Sequence, residues 1–263
     1  EQISRLELFG ADRVAAQREA RSRYTDEVLR LVERFKRADA EQTTAETAAL
    51  LMQLVIFTVR EDSGDMVVSI WDHAAENRPT DINVLAQRAQ FLKRLQRYAD
   101  AIEAFKEMAQ LERPPLSAEG VVLVEQLQRA NWQIADSAMD QWLSLPEQAP
   151  SREQWLADAR EYRELAGDDL AEDSIELTLL DAKLAYADAD YNSADRLVRR
   201  YNTETTESNP GALRLAADIA ARLGNVGEQR RLLYRAVELS PNDIQSIMPL
   251  AELASRFRDY EEA

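Results

Sequence analysis

The chain has 263 residues, 45% hydrophobic and 30% charged, with only 7 Gly and 8 Pro, too few turn residues for a fold of many short strands. A formal charge of −16 argues against a general nucleic-acid or anionic-membrane surface, because phosphates are neutralised by clustered Lys and Arg. Without cysteine there are no disulfides, thiol nucleophiles or cysteine zinc sites, which suits bacterial cytoplasm and periplasm equally, and no apolar run reaches the roughly 18 residues that cross a bilayer.

Residues 1–47 are expected to form a leading amphipathic helical segment, with Tyr24, Val28, Leu31, Val32 and Phe35 on one apolar stripe. Residues 1–37 hold nine basic and seven acidic residues against an acidic remainder. A solvated helix face is the simplest reading of that contrast, and docking on the acidic array or joining an upstream part are the alternatives. Helix starts follow from Thr43 with Glu46, Ser151 with Gln154 and Asp173 with Glu176, spaced as capping boxes, and from Asn209 before Pro210.

Residues 48–115 hold two similar units. From Ala48, Leu51, Leu54 and Val55 lie on a first helix, Trp71 and Ala74 on a second, and Pro79 closes it. The pattern returns 34 residues later at Ile82, with Leu85, Ala89 and Leu92, then Tyr98, Ala101, Phe105 and Met108, and Pro114. Residues 116–174 lose the phase and read as an irregular helical insert or degenerate repeat: 117–130 and 134–145 as one pair, 151–165 as a single helix. Residues 175–263 regain it. Units open at Ile175, with Ala182 and Ala194 in its pattern, at Pro210 and at Ile244, and Ala101, Ala217 and Ala236 are the small side chains that let helices approach closely. Pro249 is expected to kink the last first helix without breaking it. Ala263 falls one turn into the next helix, so the sequence reads as part of a longer array, since arrays end in capping helices with polar outer faces.

The stretches Leu223-Gly224-Asn225-Val226 through Ala236-Val237-Glu238-Leu239-Ser240-Pro241-Asn242, and Tyr98-Ala99-Asp100-Ala101-Ile102-Glu103-Ala104-Phe105, resemble the second helix and exit of the tetratricopeptide repeat (TPR) family. Arg88 and Asp181 depart from it where the family prefers a large apolar residue, and Gln229 where it prefers Ala. The resemblance implies an all-α, right-handed α-solenoid of antiparallel helix pairs with irregular central helices. It also implies a protein-protein interaction scaffold, holding a peptide or partner protein in a concave groove lined by first helices. The alternatives are a structural, self-associating component of a bacterial envelope or secretion complex, or an all-α carbohydrate-active enzyme. The family's chaperone-binding members pair Lys with Asn one turn apart on first helices. Here Ala86 and Gln90, Met52 and Ile56, Leu179 and Lys183, and Arg214 and Asp218 stand in those places, so no chaperone-tail binding is expected.

No catalytic, cofactor-binding or metal residues are indicated. His73 is the single histidine and reads as a packed or surface helix residue. Gly224 and Gly227 fit an inter-helix turn better than a phosphate loop, and Asp168, Asp169, Glu172 and Asp173 lack the spaced acceptors and turn glycine of a calcium loop. No enzyme activity, nucleic acid or direct membrane insertion of this segment is expected. The thirteenth place of each unit carries Arg60, Arg94, Arg222 and Arg256, with Ala187 the exception. With Lys93, Lys183 and Arg214 nearby, this row would steer an acidic peptide, although a cation in a helix's last turn also complements the macrodipole without any ligand.

Overall fold

The computed structural model describes residues 24–58, 63–112, 118–206 and 208–256. Among them every regular element is a helix, and the chain divides into two compact units between Leu127 and Gln128. The first unit contains α1 (24–35), α2 (Ala45–Thr58), α3 (Ser63–Asn77), α4 (Ile82–Arg94), α5 (Tyr98–Ala109) and α6 (Ala118–Gln128, ending at the division). The second contains α7 (Ala130–Ser144), α8 (Arg152–Asp169), α9 (Ile175–Ala187), α10 (Tyr191–Glu204), α11 (Pro210–Arg222), α12 (Val226–Leu239) and α13 (Ile244–Arg256). Helices pack as hairpins α2/α3, α4/α5, α7/α8, α9/α10 and α11/α12. Further contacts join α7 to α9 and α9 to α11.

Several starts fall where short polar side chains can satisfy free amides. Asp81 accepts from the amides of Asn83 and Val84 at 3.1 and 3.3 Å. Asn209 does the same for Gly211 and Ala212, with Pro210 in the first turn, where its missing amide costs nothing. Two starts differ from the sequence reading by one residue. Ser174, and not Asp173, accepts from Leu177 N, and Thr44 Oγ1 accepts from Thr47 N. Thr43 is buried, and its hydroxyl donates to Asp39 O at 3.0 Å. Ser151 precedes α8 but makes no side-chain cap bond. α13 runs unbroken through Pro249.

In three hairpins, α4/α5, α9/α10 and α11/α12, the turn repeats a single geometry. The middle residue is left-handed at Gln96 (φ 59°), Ala189 (φ 59°) and Gly224 (φ 75°), and the next amide reaches back to Leu92, Ala185 and Ala220 carbonyls at 2.8–3.0 Å. Only Gly adopts this region without a Cβ clash. Gln96→Gly and Ala189→Gly are each expected to stabilise their unit by about 0.5–1 kcal/mol, the relieved strain exceeding the entropy lost from the unfolded chain. Asp188→Gly, at φ −79°, is expected to destabilise instead; urea midpoints distinguish the two outcomes.

Ala89 and Ala101 in the first unit, and Ala182, Ala194, Ala217 and Ala236 in the second, are fully buried. Small side chains there bring helix axes close, and Leu213, Leu233 and Val198 fill the grooves that remain. Where the apolar pattern lapses, ion pairs between helices take its place. Arg88 on α4 donates to Asp72 of α3 (2.8 Å) and Glu107 of α5 (3.0 Å), and Asp181 on α9 accepts two bonds from Arg163 of α8 (2.6 and 2.9 Å). His73 packs edge-on against Phe35 of α1 at 5.8 Å, with Nε2 3.3 Å from Ala38 O.

The central stretch differs from the sequence reading. α7 pairs with α8, so 134–145 and 151–165 belong to one hairpin. Ala159 and Ala166 are fully buried, leaving α8 close to α7. The 18-residue α8 lengthens this hairpin, and the starts of α7 and α9 stand 45 residues apart, Ala130 to Ile175. That spacing hides the 34-residue period.

Candidate functional site

In the second unit α9, α11 and α13 are each 13 residues long. Thr178 with Ala182, and Leu213 with Ala217, turn into the packing at the fourth and eighth places. The fifth and ninth places then fall on a separate stripe about 100° away. The fifth places are Leu179, Arg214 and Met248, and the ninth are Lys183, Asp218 and Glu252. Leu179 is buried, Arg214 half-buried and Met248 exposed.

Lys183 is 8% exposed, and its ammonium donates to Asp136 at 2.6 Å and Asp140 at 2.5 Å, both on α7. Burial alone would lower its pKa, but the two carboxylates outweigh it and hold the ammonium well above its ordinary value. Lys183 therefore ties α9 to α7. Arg214 is ion-paired with Asp243, just before α13. Arg222 binds Glu147 at 3.0 Å and the Tyr186 hydroxyl; the Tyr186 bond, then the Glu147 bond, raise its pKa above the ordinary value. Tyr186 also meets Trp142 and Tyr191 edge-on at 6.4 and 5.7 Å, while the Arg152 guanidinium lies 3.8 Å over Trp142. These contacts join the C-terminal ends of α7, α9 and α11.

The other cations read from the sequence are dispersed. Arg94 is exposed and Lys93 half-buried in the last turn of α4, in the first unit. Arg256 is exposed at the end of α13, and Arg60 lies outside the described residues. The sequence reading noted Asp218 only as a departure from the chaperone-binding pair and not as a site residue, although it lies between Arg214 and Arg222 on one stripe of α11. Crowding by the protein raises its carboxyl above the ordinary range, against the lowering pull of Arg214 and then Arg222, although the side chain still meets solvent. The signal was available: Lys183, Asp218 and Glu252 recur at 35 and 34 residues. The Trp142, Tyr186 and Tyr191 cluster had no comparable signal, because α7 stands off the period. Among the described residues no His, Cys, Asp or Glu side chains gather as a metal-ligand set, and no helix is long and apolar enough to cross a membrane.

No protein-family model and no curated protein sequence matches the chain. Solved structures do. A thermophilic TPR protein of Thermus thermophilus aligns over 80% of this chain and 98% of its own, at 14% identity and a TM-score of 0.55. A tetratricopeptide repeat protein of Parabacteroides merdae aligns over 93% and 86%, at 14% identity and 0.56. The APC/C hetero-tetramer Cut9-Hcn1 gives 0.57 at 13% identity, over 90% of this chain and 40% of the matched one. Such identities speak to architecture alone, and that architecture is the tetratricopeptide-repeat fold, an all-α array of helix pairs.

Proposed function

We propose that this chain is a non-enzymatic protein-protein interaction scaffold, holding a peptide or partner protein against the first helices of its second unit. The observation that supports the reading is the in-register stripe on α9, α11 and α13. It offers a partner apolar and charged groups in register, with Met248 54% exposed, and the half-buried Tyr186 stands at the end of α9. Asp181, Arg163, the alanines at the crossings and the buried Leu179 and Lys183 hold the helices together, which leaves Met248, Asp218 and Glu252 as the exposed members of the stripe. A photo-crosslinking residue placed at Met248 in the source cells is expected to capture a discrete partner, and one at exposed Glu238 of α12 is not. Crosslinks from Glu238 with none from Met248 would contradict the reading.

A second reading, self-association, is favoured by α2. Leu50, Leu54 and Phe57 lie at i, i+4 and i+7, Phe57 is 81% exposed, and the helix carries Glu46 as its single charge. Leu54→Lys with Phe57→Asp is expected to weaken any association at least tenfold by light scattering, while the thermal midpoint stays within about 0.5 kcal/mol of stability, as for exposed sites. An unchanged mass-concentration curve would remove α2 from the account.

A further inference from the structure

We infer that the first-helix face of the second unit takes a basic segment, Asp218 and Glu252 each receiving a Lys or Arg side chain of an extended partner chain. The inference rests on the scaffold reading and adds the partner's chemistry. Charge decides it. At the ninth place of α9, one positive charge on Lys183 is set against two carboxylates, Asp136 and Asp140. Arg214 and Arg222 flank Asp218 by one turn on either side, yet each is drawn off by another acid, Asp243 and Glu147. Among the described residues no cation comes within ion-pair distance of Asp218 or Glu252, both exposed. Counting exposed Arg256, the face keeps an excess of acid.

Arg and Lys side chains that already close ion pairs within the protein hold a peptide carboxylate weakly, since each new bond must displace an existing one. An exposed carboxylate without such a pair gains a charge-assisted bond outright. Crowding around Asp218 reduces its hydration, which raises the gain from an incoming cation.

Spacing narrows the partner further. Packed helix axes stand about 8–10 Å apart. A polyproline-II strand returns each third side chain to the same side after about 9.3 Å. Basic residues at every third position therefore present their charges on one side of the partner, spaced on the scale of neighbouring helices.

The test uses the full chain and a fluorescein-labelled peptide of about twelve residues, with Lys at every third position and Ala or Pro between; its counterpart carries Glu. Fluorescence anisotropy is expected to show saturable binding of the Lys peptide only. Asp218→Asn with Glu252→Gln is expected to weaken it at least tenfold. Glu161→Gln with Glu238→Gln, exposed carboxylates on α8 and α12, is expected to change it less than twofold. Tighter binding of the Glu peptide, no saturable binding of the Lys peptide, or equal losses in the two variants would overturn the inference. The two readings separate at Met248: crosslinks there to an acidic or apolar segment keep the scaffold and remove the basic partner, and the absence of crosslinks removes both.

Discussion

Lys183→Met is expected to destabilise the second unit by about 3–5 kcal/mol, because it leaves Asp136 and Asp140 facing each other without their shared cation. Removing one side of a buried ion pair costs far more than the intact pair contributes. The variant Lys183→Met/Asp136→Asn/Asp140→Asn should therefore recover most of the loss. The sign of the pH dependence follows from the raised pKa of Lys183. Its folded value lies above the unfolded 10.5, so its contribution is complete below that pH and is lost as pH rises through the folded value. Urea midpoints of wild type and Lys183→Met should stay far apart from neutral pH to about pH 10 and converge above it. A constant small gap, or no recovery in the triple variant, would show that the cation does not tie α9 to α7.

Ala236→Leu is expected to cost about 1–3 kcal/mol by forcing three extra carbons into the closed packing of α12 against α11. Ala236 is fully buried in one cluster with Leu213, Ala217 and Leu233, and none of these can move aside without shifting a helix. Glu238→Leu, two residues on and exposed, serves as the control and should change the urea midpoint little. Equal midpoints for the two variants would contradict the repeat register itself.

The regular repeats were legible because their signals are local. The spacing of Leu85, Ala89 and Leu92, the cap before Pro210 and the alanines at crossings each act within one hairpin, and α4, α9, α11 and α13 begin at the residues that the periodicity predicts. The central hairpin was not legible. Its 45-residue spacing leaves no period to follow, and the pairing of α7 with α8 is set by packing in which Ala159 and Ala166 are buried, not by a repeated motif.

The candidate face was legible only in part. Sequence position placed Arg214, Arg222 and Lys183 on first helices, but it did not reveal that Asp243, Glu147, Asp136 and Asp140 engage them. Those acids lie 29 to 75 residues away along the chain. Charge type can be read from one residue, whereas charge balance at a face requires the fold that gathers its members. Arg88 and Asp181 teach the same lesson for packing. Each looked like a lapse in the apolar pattern, and each has its partner on a neighbouring helix.

The most direct test of the scaffold account is hydrogen-deuterium exchange of the full chain with and without the segment captured at Met248. Binding against the first helices predicts slowed exchange in α9, α11 and α13, with α8, α10 and α12 unchanged. Protection confined to the second helices, or to the first unit, would contradict it.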